Sequence, residues 1–212
     1  MFFKRLREDI AFAKKCDPAA RSKFEIYITY SGVHALANHR FAHFLHTHKM
    51  KFLARCVSQF SKFMTGIEIH PGATIASGVF IDHGSGVVIG ETAVVETGVV
   101  IYQNATLGGT GKDKGKHRHP TVKKGATISC GAVVLGNITI GENSIVGAGS
   151  VVLRDVPPNS TAVGVPARIV RLNGERIKEE EGISLPVQNQ LDELRNKINE
   201  LQKTIDELRG AQ

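Results

Sequence analysis

Tryptophan is absent from the 212 residues, and aromatic side chains make up only 6% of them. Any core must therefore be built mainly from aliphatic residues. Cysteine is also scarce. Cys16, Cys56 and Cys130 are odd in number and far apart, which argues against a disulfide framework and for a reduced, cytoplasmic protein. No apolar run approaches the roughly 20 residues that span a bilayer. The opening Met1-Phe2-Phe3-Lys4-Arg5 leads into a charged amphipathic pattern rather than a signal peptide. Acidic residues are the minority, 20 against 27 Lys and Arg, for a net charge of +7. Part of the excess is Lys112, Lys114, Lys116 and Arg118, a basic loop of the kind that meets phosphates. No aromatic residue is interleaved there to stack on bases, so nucleic acid is not the expected partner. A phosphate-bearing small cofactor, or a merely solvated loop, fits better.

What the chain does have is a six-residue period. Thirteen aliphatic residues share it: Ile69, Ile75 and Ile81; Ile89, Val95, Ile101 and Leu107; then Val122, Ile128, Val134, Ile140, Val146 and Val152. Three residues after each comes a second column, rich in Gly and Asn: Gly72, Gly78, Gly84, Thr92, Gly98, Asn104, Thr110, Gly125, Gly131, Asn137, Asn143, Gly149 and Asp155. A period of six fits neither a helix nor an amphipathic strand, but it fits a parallel β-solenoid. The aliphatic residue of each short strand points inward, at about 1.5–3 kcal/mol each, and the corner residue then turns the chain through positive φ.

The flanks read differently. Residues 1–65 are expected to form a helical region, with Phe2, Phe3, Leu6 and Ile10 near helical spacing. Asp17-Pro18 opens a new segment with Pro in a first helical turn. Tyr30 to Phe63 then continues as helix, packed through Ala35, Leu36, Phe41, Phe44 and Leu45. His39, His43 and His46 share one face there. They read as surface or interface histidines, since no acid or Cys joins them as a metal ligand. The solenoid domain is expected over 66–170 and a linker over 171–186. A coiled-coil helix follows over 187–210, with Val187, Leu191, Leu194, Ile198, Leu201, Ile205 and Leu208 alternating spacings of four and three. Ile at a with Leu at d favours two strands, whereas tethering to a trimeric solenoid would impose three. A single helix packed on its own subunit is the alternative.

The period slips twice, and both slips carry titratable groups. Ile81 to Ile89 holds Asp82-His83-Gly84-Ser85-Gly86; Leu107 to Val122 holds Gly108-Gly109-Thr110-Gly111 and ends Arg118-His119-Pro120. If three hexads make one coil, the two slips leave from different corners, and one site is most easily built from both across a subunit interface. His83 suits a general base, because an imidazole with an ordinary pKa near 6.5 takes a proton from an alcohol at neutral pH. Glu68, one coil away, is preferred over Asp82 as its orienting acid, because adjacent side chains on an extended segment point apart.

These residues resemble the serine O-acetyltransferase family of hexapeptide acyltransferases. The segments that carry the likeness are Ile67-Glu-Ile-His-Pro-Gly-Ala73, Ile81-Asp-His-Gly-Ser-Gly86, Ile89-Gly-Glu-Thr92, Thr106-Leu-Gly-Gly-Thr-Gly-Lys112, Arg118-His-Pro120, Gly147-Ala-Gly-Ser-Val-Val152 and Gly164-Val-Pro-Ala-Arg168. Upstream, Cys16-Asp-Pro-Ala19 and Gly32-Val-His-Ala-Leu36 are similar to the end of the family's helical domain. The likeness implies a mainly β fold, a left-handed parallel β-helix, and transfer of acetyl from acetyl-CoA to the hydroxyl of L-serine, for cysteine biosynthesis. It implies His83 as base with Glu68 as its acid. Asp17, Asp82, Arg118 and His119 would hold serine, with Arg118 gripping the carboxylate by two prongs and the aspartates taking the ammonium. Gly109, Thr110, Cys130 and Ala148 fall at coenzyme A groove positions; many members have Ala where this chain has Cys130. Backbone N–H groups near Gly108-Gly109 would face the oxyanion. No permanent cofactor or metal is implied.

Departures from the family pattern shape the expected partners. The short helical region points to a homotrimer rather than the hexamer of the long members. The ending Arg209-Gly-Ala-Gln212 lacks the terminal Ile through which long members dock on O-acetylserine sulfhydrylase, which argues against that complex. The serine-binding set is complete, so feedback inhibition by L-cysteine is expected to be retained. Three rival readings stand: acetylation of a sugar or antibiotic hydroxyl, a zinc carbonic anhydrase using His70, His83, His117 or His119, and a non-enzymatic scaffold. Asp17, Asp82 and Arg118 together suit a small zwitterion better than a sugar. Arg118 beside His117 and His119 would repel a metal cation.

Overall fold

The computed structural model describes residues 2–111, 117–177 and 196–202. Four helices come first: α1 (Phe2–Cys16), α2 (Lys23–Thr29), α3 (Ser31–Thr47) and α4 (Lys51–Thr65). A left-handed parallel β-helix follows, its strands laid on three faces. The first face stacks β1 (Glu68–Ile69), β4 (Val88–Ile89), β7 (Thr106–Gly108), β10 (Val133–Leu135) and β13 (Val151–Val152). The second holds β2 (Thr74–Ile75), β5 (Val94–Val95), β8 (Thr121–Val122) and β11 (Thr139–Ile140). The third holds β3 (Phe80–Ile81), β6 (Val100–Ile101), β9 (Thr127–Ile128), β12 (Ile145–Val146) and β14 (Ser160–Gly164). Strand β15 (Ala167–Leu172) then turns back antiparallel on β14, and β16 (Glu175–Arg176) antiparallel on β15.

All thirteen aliphatic residues of the six-residue register are buried, each at the inward position of its strand. Val88 pairs with Thr106, an offset of 18, or three hexads. The coils holding the slips are longer: Glu68 pairs with Val88, an offset of 20, and Thr106 with Val133, an offset of 27. The slips are therefore accommodated as bulges without loss of register.

The corner column divides in a way the hexad alone does not foretell. Positive φ occurs at Gly78, Gly98, Gly125 and Asn143, between the second and third faces. It occurs again at Gly84, Asn104, Gly131 and Gly149, between the third and first. Gly72, Thr92, Thr110, Asn137 and Asp155, all between the first and second faces, do without it. Thr and Asp are tolerated at these positions because they keep ordinary φ there, the positive φ of the β10–β11 turn falling on Gly136 instead.

The helical region departs from expectation in several places. Pro18 lies in a turn, and the next helix starts only at Lys23, where the Ser22 hydroxyl accepts the Glu25 N–H as an N-cap. The helix expected from Tyr30 to Phe63 is broken at 48–50, where Lys49 takes φ 65, and α3 and α4 form a hairpin. Phe41 and Phe44 are exposed rather than packed. The buried side of α3 is Val33, Leu36, His39, Ala42 and Leu45, and Ala35 and Leu36 join the solenoid core. His39 is buried instead of lying on the surface, and burial drives its pKa down to about 3. Helix α4 packs inward through Ala54, Ser58 and Ser61, leaving Phe52, Phe60, Phe63 and Met64 exposed.

One buried ion pair fastens these layers. Arg40 of α3 meets Asp9 of α1 at 2.5 Å, and the second Asp9 oxygen accepts the Gly78 N–H of a solenoid corner at 2.9 Å. Burial raises the Asp9 carboxyl pKa despite that guanidinium. At the far end, Pro157 and Pro158 lie directly over Gly141, closing the second face above β11. Of the coiled-coil seam only residues 196–202 are described, and they are helical. The rest of it, most of the linker, and Lys112, Lys114 and Lys116 lie outside the described residues.

Candidate active site

The first slip sits where the third face turns into the first, immediately after β3. His83 adopts φ 57 there, so Asp82 and His83 are not successive residues of an extended segment. Their side chains accordingly approach, with His83 Nε2 3.9 Å from Asp82 Oδ2. The expectation that neighbouring side chains diverge fails for this reason. The His83 ring is 70% exposed. Its carbonyl accepts the Ser31 hydroxyl at 3.1 Å, which pins the bulge to the start of α3. Gly32 permits that approach, since a Cβ on it would lie 2.1 Å from the Ile81 carbonyl oxygen.

Asp17, Tyr30, Ser31, Asp82 and His83 line one open cleft of about 370 Å³ beside that bulge. Asp17 arrives from the turn after α1. Its Oδ1 accepts the Ala19 N–H at 2.8 Å, and its Oδ2 accepts the Tyr30 hydroxyl. The Tyr30 hydroxyl, then the backbone amide and nearby His83, hold the Asp17 carboxyl below its usual range. Two carboxylates in one cleft make it suited to a cation. A larger cavity, about 540 Å³, opens beside the second face, but none of the expected site residues lines it.

The second slip leaves from a different corner, between the first and second faces, after β7. His119 is largely buried and its Nδ1 accepts the Thr92 N–H at 3.1 Å. Burial, reinforced by the Arg118 charge, depresses its pKa, so the ring is neutral, and among the described residues its Nε2–H has no acceptor. The Thr92 hydroxyl oxygen accepts the N–H groups of Arg118 and His119 at 3.0 and 3.2 Å. The Arg118 guanidinium donates to Glu91 at 3.0 Å. Gly90 makes room for the imidazole: a Cβ on it would fall 2.0 Å from His119 Cδ2. Gly90→Ala is therefore expected to displace the ring and destabilise the protein by about 1–3 kcal/mol through overpacking, read from the urea midpoint.

Glu68 is drawn elsewhere. Its carboxylate receives Lys62 at 2.6 Å and Arg55 at 3.3 Å, both from α4, and Lys62 contributes most to lowering its pKa. The coenzyme-groove candidates divide between the same two corners. Cys130 and Ala148 stack above the His83 corner, where the Gly149 N–H donates to the Cys130 carbonyl at 2.9 Å. Gly109 and Thr110 belong to the Arg118 corner. A Cβ on Gly109 would lie 3.1 Å from the Arg118 carbonyl oxygen. Both corners bound the first face, one on each side.

Among the described residues no cluster of three His, Cys, Asp or Glu could hold a metal. Sequence reading assigned no role to Tyr30, Ser31, Gly90 or Glu91, although Gly90 and Glu91 fall in a segment that carries the family resemblance. Thr92 stood in the corner column without its bonds to Arg118 and His119 being foreseen. The one legible signal was the position of Glu91 and Thr92, one coil before Arg118.

The chain is similar to known proteins in both sequence and fold. Residues 119–154 match the family described as "Bacterial transferase hexapeptide (six repeats)", and 84–103 match "Hexapeptide repeat of succinyl-transferase". A serine acetyltransferase of Bacillus subtilis (strain 168) is 53% identical over 210 residues, covering 98% of this chain and 96% of the relative. A solved serine acetyltransferase in complex with cysteine is 41% identical at a TM-score of 0.78, over 80% of this chain and 70% of that one. A serine acetyltransferase from Brucella abortus strain S19 in complex with coenzyme A is 44% identical at a TM-score of 0.78, over 83% and 69%.

Proposed function

The chain belongs to the serine acetyltransferase family, and we infer that it transfers the acetyl group of acetyl-CoA to the hydroxyl of L-serine, with acetyl-CoA as co-substrate. One observation carries the assignment of residues: Asp17, Asp82 and His83 line a single cleft. His83 acts as general base. Its ring takes the serine hydroxyl proton as that oxygen attacks the thioester carbonyl, giving a tetrahedral oxyanion. When the carbon–sulfur bond breaks, the imidazolium returns the proton to the coenzyme A thiolate, and O-acetylserine leaves. Asp17 and Asp82 hold the substrate ammonium. Arg118 and the His119 Nε2–H hold its carboxylate. Backbone N–H groups at Gly108-Gly109 face the oxyanion.

Glu68 is the orienting acid in this reading. It lies on the strand beneath the bulge, where the Gly86 N–H donates to the Gly66 carbonyl at 3.0 Å and Ile67 packs against Gly84. Its carboxylate must then turn from Lys62 toward the ring, while Asp82 is the acid already within 3.9 Å.

The site is shared between subunits of a homotrimer. If the first face of each solenoid is turned to a threefold axis, the His83 corner of one subunit meets the Arg118 corner of the next. That brings Cys130 and Ala148 opposite Gly109 and Thr110, which forms the coenzyme A groove. The outward residues of that face, Val88, Val133 and Val151, suit such burial, and the exposed aromatic side of α4 offers further apolar surface. L-cysteine, which differs from serine only in its thiol, inhibits by occupying the serine site. Among the described residues no helix is long and apolar enough to cross a membrane.

The test is thiol release from acetyl-CoA with serine, homoserine and sugars as acceptors. Serine is expected to exceed homoserine by about 10–200-fold in kcat/KM, the usual cost of one methylene in a fitted pocket. Comparable turnover of a sugar would overturn the choice of substrate.

A further inference from the structure

We propose that Tyr30 is a positioning residue of this enzyme, its hydroxyl holding the Asp17 carboxylate in the orientation that receives the substrate ammonium. The inference rests on the reading of Asp17 given above and adds the group that makes Asp17 competent.

Asp17 lies in an irregular turn, where a carboxylate has no helix or strand to fix it. Its Oδ1 has the Ala19 N–H, and among the described residues its only side-chain hydrogen bond is the one from Tyr30 to Oδ2. Each oxygen keeps a second lone pair for an ammonium. The Tyr30 ring is itself immobilised. It stacks on Phe80 with centroids 6.4 Å apart and planes at 30°, and Phe80 is the buried residue that begins β3. Two residues beyond Phe80 comes Asp82, the second carboxylate. The Tyr30 backbone also joins α2 to α3, and the next residue, Ser31, donates to the His83 carbonyl. Tyr30-Ser31 thus ties the helical half of the cleft to the solenoid half and sets Asp17 against Asp82 and His83.

Electrostatics agree with the geometry. The hydrogen bond holds Asp17 below the usual carboxylate range and pushes the Tyr30 phenol up to about 12, so Tyr30 remains a donor at every working pH. The other charged or titratable groups that bear on the pair are Glu25, Asp82 and His83.

Tyr30→Phe removes the hydroxyl and keeps the ring on Phe80. It is expected to raise KM for serine about tenfold, as the loss of a hydrogen bond to a charged group allows, with kcat and KM for acetyl-CoA little changed. An NMR titration of the Asp17 carboxyl supplies a readout that loosened packing would not move. Without its donor Asp17 returns toward its ordinary pKa, so that titration shifts to higher pH. Asp17→Asn is measured alongside. If Asp17→Asn raises KM for serine while Tyr30→Phe leaves both KM and the Asp17 titration unaltered, the positioning role is wrong and the Asp17 reading survives. If Asp17→Asn itself leaves KM unchanged, both are wrong. A Tyr30→Phe protein whose KM for acetyl-CoA rises in step with that for serine also overturns the proposal, because a general loosening moves both.

Discussion

His83→Ala is expected to lower kcat by about 10²–10⁴-fold, the usual share of a positioned general base, while coenzyme A affinity is unchanged. The ring projects from a bulge into an open cleft and its backbone is anchored by Ser31, so its removal should leave the coils above it in place. Alanine at φ 57 is strained by about 1–2 kcal/mol, so His83→Asn, which tolerates that conformation, is the companion variant. Both should lose turnover alike if the imidazole is the base. Glu68→Gln should cost less, since it leaves the ring and removes only an orienting charge. Single-turnover rates together with equilibrium binding of coenzyme A decide the matter. Intact turnover with weakened coenzyme binding would show that His83 belongs to the groove and not to proton transfer.

Mixing two inactive variants gives the second large effect. If His83 and Arg118 of one site come from adjacent subunits, His83→Ala and Arg118→Ala proteins, unfolded together and refolded as mixed trimers, should regain activity. With random assembly about a quarter of the sites would pair an intact His83 with an intact Arg118. Recovery to roughly that fraction of wild-type activity is expected, with a light-scattering mass of three chains. No recovery in a verified mixed trimer would place both residues of each site in one subunit, or give Arg118 no part in it. The second outcome is separable, because Arg118→Ala alone would then retain its KM for serine.

The register of the solenoid was legible because burial leaves a plain record: Ile69 to Val152 occupy the inward column without exception. The division of the corners was also written in the residues, although not in the period. Gly and Asn fill the two columns that need positive φ, while Thr92, Thr110 and Asp155 fall in the column that does not. Asp82 and His83 stood out because they interrupt a repeat, whereas Asp17 was reached only through the family resemblance. Tyr30 could not be read. Its role depends on where a turn at 17–20 comes to rest against β3, a contact between distant segments that no local pattern encodes. The helical region misled for a related reason. Phe41, Phe44 and the aromatic residues of α4 look like core, and small residues such as Ala54 and Ser58 do not, yet close approach to the solenoid selects the small ones.

The two ends of the stack carry a consequence for how copies of this chain can meet. A pile of parallel strands that simply stopped would offer rows of unsatisfied amides and carbonyls, a template for end-on growth into fibres. Here α3 covers the first coil with Ala35 and Leu36, Val156 donates its N–H to Thr139 of β11 before the proline pair, and β15 runs backward along β14. Growth along the stack is thereby hindered at both ends, which leaves flank-to-flank contact as the favoured way for copies to meet.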